Sequence, residues 1–258
     1  MWPLILIPVG LVLHDYLKAP IDRLYFNNPR RILMGMQNAM VDILSIMSTP
    51  EPPGLWLIKA HYEKIRDEFR RVSPTLKRHL FHEADAWFDK NDGYYFYRVE
   101  DFPVLKSLID QIPSIHKETA MFAVAEGPMV IPPHRAESNW LLRYHLTIES
   151  GGDCTLYTMK GAHEHREGED LLFDHAKYHE VVKRGQGRRV VLILDVYRCF
   201  RQTATYMSLP PMSSSLVSST ILFVNGPGLP LPQRIHKADS LVTSLAKGIQ
   251  SRIWPHFL

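Results

Sequence analysis

The chain has 258 residues, enough for one well-buried domain with appendages, and its 45% hydrophobic and 22% charged content is that of a folding globular protein. Disordered, collagenous and polytopic membrane classes are excluded. Thirty Lys and Arg against 27 Asp and Glu leave a formal charge of +3 with no dense basic block, so nucleic acid is not an expected partner.

Residues 2–13 form an uninterrupted apolar run that carries Pro3, Pro8 and Gly10. The run is too short to span a bilayer and lacks the basic flank and cleavage site of an ordinary signal peptide. A second apolar stretch covers residues 32–47, broken by Gly35, Gln37, Asn38, Asp42 and Ser45. Two readings stand for this region: a core or capping helix, and an interfacial anchor that rests the protein on a membrane. The Pro-rich stretch 48–54 marks the main boundary, giving an extension over 1–54, a central domain over 55–205 and a second extension over 206–258.

Within the central domain, Ile58, Tyr62, Ile65 and Phe69 recur at helical spacing until Ser73-Pro74 closes the segment. The aromatics Trp87, Phe88, Tyr94, Tyr95, Phe96 and Tyr97 read as core, with a substrate cleft wall as the alternative. Asp101 offers an N-cap, and Pro103, Leu105, Leu108, Ile109 and Ile112 follow as a second amphipathic helix. From residue 119 to about 200 the period changes to two, which makes the fold class mainly β with flanking helices. Residues 209–232 are rich in Ser, Pro and Gly, and Leu241, Leu245, Ile249 and Ile253 mark a terminal helix.

Two strands carry the chemistry. In residues 140–148, Leu142, Tyr144, Leu146 and Ile148 share one face and Arg143, His145 and Thr147 the other. In residues 188–196, Val190, Leu192, Leu194 and Val196 share one face, with Arg189 and Asp195 opposite. Arg189 is followed on its own face by Val191 and Ile193, so it reads as buried, and a buried guanidinium requires an anion. Asp195 lies six residues on, about 20 Å along a strand and out of reach. An external carboxylate suits the guanidinium fork. His134 and His179 sit where loops meet these strands and are candidate metal ligands. His163-Glu164-His165 falls in a charged segment and reads as a solvated hairpin loop. Cys154 and Cys199 build no disulfide framework, and no Asn-X-Ser/Thr acceptor occurs, which suits a reducing compartment, cytoplasmic or peripheral to a membrane.

Taken in order, Pro-Pro-His134, Asn139, Leu-Arg143-Tyr-His145-Leu, Cys154, Gly168-Glu169, Phe173-Asp174, His179-Glu180-Val181 and Arg189 with Asp195 resemble the aspartyl/asparaginyl β-hydroxylase family over about residues 102–198. The resemblance implies an Fe(II)- and 2-oxoglutarate-dependent oxygenase on a double-stranded β-helix, a jelly roll. It makes His134 and His179 the iron ligands, sets Arg189 on the distal carboxylate of 2-oxoglutarate, and lines the pocket with Arg143 and His145. The ordinary facial triad would place a carboxylate at position 136, which is Ala136, and the family is known for lacking that acid. Glu137 is the substitute ligand considered. Departures from the family are Ala123 where a Ser often helps hold the oxoglutarate, Gly127-Pro128-Met129 before the Pro-His segment, and Lys183 near a usual Asn.

The implied reaction uses O2 and 2-oxoglutarate to hydroxylate an unactivated C–H bond, first the β-carbon of Asp or Asn in a peptide or protein. A membrane-associated lipid acyl hydroxylase is the alternative, and a non-catalytic cupin-like binding protein is a third reading, motivated by Ala123 and the missing carboxylate.

Overall fold

A computed structural model of the chain describes residues 2–18, 29–45, 52–84, 90–136, 138–158 and 160–198. Trp87, Phe88, Glu137, Cys199 and the expected terminal helix at 241–253 lie outside these residues. Two helices, α1 (Trp2–Lys18) and α2 (Pro29–Ser45), pack on each other. Then come α3 (Leu55–Ala60) and α4 (Tyr62–Val72), with a 3-10 turn at Ser73–Thr75. The stripe from Ile58 to Phe69 thus runs over two helices, because His61 leaves the helical path at φ −103° and ψ 17°. Its Nδ1 meets the Leu57 carbonyl at 2.9 Å.

The rest is β1 (His79–Leu80), α5 (Phe81–Ala84), β2 (Tyr94–Arg98), α6 (Pro103–Asp110), β3 (Ile115–Ala125), β4 (Met129–His134), β5 (Leu141–Ser150), β6 (Cys154–Thr158), β7 (Gly161–Glu164), β8 (Asp170–Phe173), β9 (His179–Lys183) and β10 (Arg189–Tyr197). They form two antiparallel sheets, ordered β1-β2-β3-β10-β5-β8 and β4-β9-β6-β7. Strands distant in sequence alternate between the sheets, which is the jelly-roll pattern of a double-stranded β-helix. Strand pairing begins well before residue 119, since β2 joins β3 from Tyr94↔Ala125 to Arg98↔Met121.

The six-stranded sheet has two unlike faces. Its outer face presents Tyr95, Tyr97, Phe122, Val124, Tyr144, Leu146, Ile148, Val190, Leu192, Leu194 and Val196 to α3, α4 and α6, and this is the main apolar core. Phe69, Phe102 and Phe122 meet there with ring centroids 4.7 to 5.9 Å apart. The inner face meets the four-stranded sheet over a smaller apolar cluster of Ile131, Cys154, Leu156, Phe173 and Val181. Burial of the outer face stabilises the sheet, so the inner face is released to hold polar groups.

Helix α6 is not capped by Asp101. Asp101 ends a 3-10 turn, and the cap position is Phe102, whose ring cannot accept a hydrogen bond. Glu68 of α4 supplies the acceptors instead, taking the N–H of Val104 at 2.8 Å and of Leu105 at 2.9 Å. The carboxylate is buried and sits at the positive end of α6. Glu68→Ala should therefore cost about 2 to 3 kcal/mol of unfolding free energy, and Glu68→Gln about half of that. Urea midpoints of the two variants check this, and a Glu68→Ala midpoint equal to the parent's would refute the capping role.

Candidate active site

Antiparallel register brings the two candidate ligands together. His134, last in β4, stands opposite His179, first in β9, and their ring centroids are 4.2 Å apart. Nδ1–H of His134 donates to the Pro132 carbonyl at 2.7 Å, and Nδ1–H of His179 to the Lys177 carbonyl at 2.9 Å. A carbonyl accepts only, so each neutral ring carries its lone pair on Nε2. That is the tautomer of a metal-binding imidazole whose other nitrogen is fixed by a backbone partner. Burial pushes His134 down to about 4 and His179 well below the usual histidine range, with Arg143 and His175 adding to the effect. Both rings are thus neutral, as ligands must be. Among the described residues no group of three or more His, Cys, Asp or Glu converges, and Ala136 offers no donor.

Arg143 and Asp195 face each other across β5 and β10. Nε and Nη2 of Arg143 donate to the two Asp195 oxygens at 2.8 and 3.0 Å, a bidentate pair. Arg143 thus contributes its charge to the site, while its fork is held by a neighbour that alternation along one strand cannot reveal. Burial raises the Asp195 carboxyl, but the Arg143 charge outweighs it and holds the group at about 2. His175, unassigned by the sequence, is buried with Nδ1 3.6 Å from Asp195, and its carbonyl accepts the Ala136 N–H.

Arg189 opens β10 and is 1% exposed, as its apolar neighbours on the strand predict. Tight backbone packing fixes it: Gly151 has φ +68°, and a Cβ there would lie 2.7 Å from the Arg189 nitrogen. No acid pairs with Arg189 among the described residues. Its hydrogen bond runs from Nε to Nδ1 of His165, at 3.0 Å. This corrects the reading of His163-Glu164-His165 as a solvated loop. Residues 161–164 are strand β7, and His165 is buried with Cys154 Sγ 3.3 Å from the same Nδ1. Period two along β7 puts His163 and His165 on one face, a signal that the surrounding charges obscured.

Between the two ends lies a chain of rings. Phe173 is 5.1 Å from His179 and 5.0 Å from His145, and His145 is 6.1 Å from His165. Both ring nitrogens of His145 are buried without a hydrogen-bond partner, and so is Nε2 of His165. A cleft of about 560 Å³ reaches this end, lined by His145, Thr147, Thr155, His165, Glu169 and Asp170 among others. Lys183 is also buried, its Nζ donating to the carbonyls of Gly127 and Gly185. The aromatic segment splits by parity: Tyr95 and Tyr97 join the outer core, while Tyr94 stacks on Phe81 with centroids 4.1 Å apart.

Neutral buried histidines make stability pH-dependent. His134 and His175 titrate at about 4 in the folded chain and at about 6.5 in an unfolded one. Their contribution is therefore complete above about pH 6.5 and declines as pH falls toward about 4, because the unfolded chain binds more protons in that window. Asp195, at about 2, adds slope only at more acid pH. Urea unfolding of the metal-free protein at several pH values should show this decline, and His175→Gln should flatten it; a constant midpoint across the window would contradict the assignment.

The profile of the aspartyl/asparaginyl beta-hydroxylase family matches residues 59–199, more than half of the 258. The ornithine lipid ester-linked acyl 2-hydroxylase of Rhizobium tropici is 28% identical over 116 residues, 44% of this chain and 41% of that protein. The chain thus spans about two fifths of the length of this curated relative. Among solved structures, a Pseudomonas putida prolyl-4-hydroxylase overlaps 54% of this chain and 88% of its own at 13% identity and a TM-score of 0.38. A sugar phosphate isomerase of the cupin superfamily from Silicibacter pomeroyi overlaps 56% and 96% at 11% identity and a TM-score of 0.34. Overlaps this loose carry no functional argument. The matched span holds β2 to β10 with every candidate residue of the interior, and on that match the chain belongs to the aspartyl/asparaginyl β-hydroxylase family.

Proposed function

We propose that the chain is an Fe(II)- and 2-oxoglutarate-dependent dioxygenase that hydroxylates an unactivated C–H bond. One observation carries the reading: a single polar interior holds two neutral histidines with fixed Nδ1 at one end and, at the other, a buried guanidinium that no acid among the described residues pairs. His134 and His179 would hold the metal through Nε2, and Arg189 would take the distal carboxylate of the oxo acid. The fit rests on both ring nitrogens of His145 and on Nε2 of His165, which are buried and which no group among the described residues satisfies. When bound, the metal, the oxo acid and O2 supply the oxidation, with succinate and carbon dioxide as by-products. The protein's part is to orient the reactants, keep the imidazoles neutral through burial and the Arg143 charge, and exclude water with Ile131, Leu156 and Phe173.

For the substrate we favour an acyl chain presented at a lipid surface. Helix α1 leaves Ile7, Val9 and Leu13 exposed, and α2 leaves Leu33, Met40 and Ile43 exposed. The buried face of α2 is tied to the segment just after His134: Asn38 accepts from the Asn139 N–H at 3.1 Å, and the Asn139 side-chain amide donates to the Asn38 carbonyl and to Asp42. An apolar surface thus sits on the element that follows the first ligand, as an interfacial seat would require. The curated relative acts on a lipid acyl chain by its name. The second reading, the β-carbon of Asp or Asn in a peptide, is favoured by the description of the family.

Three measurements test these readings. Loss of either imidazole leaves one protein ligand, so His134→Ala and His179→Ala should each abolish Fe(II) retention and oxoglutarate consumption. Arg189→Leu should weaken oxoglutarate binding about thirtyfold to a thousandfold, the equivalent of about 2 to 4 kcal/mol, with metal binding intact. Arg188 pairs with Glu149 on the exposed side, so Arg188→Leu serves as the control. Mass spectrometry after incubation with ornithine-lipid vesicles or with an Asp/Asn peptide should show one added oxygen on the lipid. Oxygen on the peptide would overturn the lipid reading alone, and absence of oxoglutarate consumption with either would point to the non-catalytic binding protein.

A further inference from the structure

The end of the interior occupied by Arg189 has a second donor. Nδ1 of His165 lies 3.0 Å from Arg189 Nε and 3.3 Å from Cys154 Sγ. A guanidinium Nε–H can only donate, and a buried thiol donates as well, so Nδ1 is the acceptor and the ring proton resides on Nε2. That Nε2 is buried and has no hydrogen-bond partner among the described residues. His165 lines the cleft of about 560 Å³ together with His145, Thr147 and Thr155. A buried N–H without an acceptor is unfavourable, and its placement beside an acid-free guanidinium gives both groups the same complement, a carboxylate.

We propose that His165 is a binding residue for the distal carboxylate of the oxo acid, donating from Nε2–H while its Nδ1 fixes the Arg189 fork. The proposal rests on the oxoglutarate reading of Arg189. Arg189 and His165 act as one unit: the arginine selects the histidine tautomer, and the histidine spends Nε so that the terminal guanidinium nitrogens face the ligand. The Nε2–H of His165 would also supply the oxo acid with a donor where Ala123 offers no hydroxyl. Nothing in the apolar alternation of β10 hints at this partner, which comes from the loop after β7.

Calorimetric titration of the anaerobic Fe(II)-loaded full chain tests it with two ligands, 2-oxoglutarate and 2-oxopentanoate, which keeps the oxo-acid head and lacks the distal carboxylate. His165→Leu should weaken oxoglutarate about tenfold to a hundredfold and leave 2-oxopentanoate within about twofold. His165→Gln keeps an acceptor for Arg189 and a donor near the Nε2 position, so it should recover oxoglutarate affinity to within about threefold of the parent. Because glutamine also preserves polarity and size, it keeps the test open if leucine disturbs the packing. Unchanged oxoglutarate affinity in His165→Leu, or equal losses for both ligands in both variants, would overturn the role of His165. A parent chain that binds 2-oxopentanoate as tightly as oxoglutarate would instead remove the distal-carboxylate subsite, and with it the oxoglutarate reading, before any variant is made.

Discussion

A guanidinium buried inside the barrel, with no acid beside it among the described residues, sets the terms for the rest of this structure. Desolvating a cation costs several kcal/mol when nothing compensates it, and Arg189 is 1% exposed. The fold tolerates that cost because its main apolar core lies elsewhere, on the outer face of the six-stranded sheet against α3, α4 and α6. Strands β5 and β10 serve both layers at once. Their even-numbered residues seal the outer core, and their odd-numbered residues, Arg143, His145, Arg189 and Asp195, furnish the interior. A one-residue slip in either strand would exchange the two sets, so the same alternation that stabilises the fold also places the chemistry.

The two-faced strands were legible in the sequence, because alternation with period two is written locally. So were the burial of Arg189 and the pairing-competent positions of His134 and His179, each at a strand end. Register was not legible, and the partners depend on it. Asp195 is out of reach of Arg189 along β10, yet it stands directly across from Arg143 on β5. His165 reads as solvated because Glu164, Arg166 and Glu167 surround it in sequence; in space its ring turns inward to Arg189 while Glu164 and Arg166 line the cleft. The capping of α6 by Glu68 was hidden for the same reason, since donor and acceptor are 36 residues apart. Long-range pairing decides such contacts, and composition around a residue then misleads.

The N-terminal helices show how a peripheral element can be joined to the interior. Asn38 on α2 bonds both to Asp15 on α1 and to Asn139, so one amide links the helical pair to the segment between His134 and β5. Arg198 adds a second tie from the end of β10, donating to the Asn139 carbonyl at 2.7 Å and pairing with Asp174 at 2.8 Å. Position of the helices, of the loop after His134 and of the segment before His179 is therefore set by one polar cluster.

Charge balance would couple the groups that the interior is proposed to hold. Two neutral imidazoles neutralise none of the charge of a divalent cation, and Ala136 supplies no carboxylate to do so. Arg143 is balanced by Asp195, whereas no acid pairs with Arg189 among the described residues, so its positive charge meets no side-chain counter-charge there. A metal bound there alone would add to an uncompensated positive field; a dicarboxylate oxo acid, under the proposed reading, would balance both ends together. Each ligand then improves the site for the other, and because coupling free energy is reciprocal, the metal must raise oxo-acid affinity by the same factor that the oxo acid raises metal affinity. A facial triad with its own carboxylate would weaken that coupling by neutralising part of the metal's charge in advance. Under that reading the missing acid would tie metal retention to the oxo acid, through the same electrostatics that leave Arg189 in need of a partner.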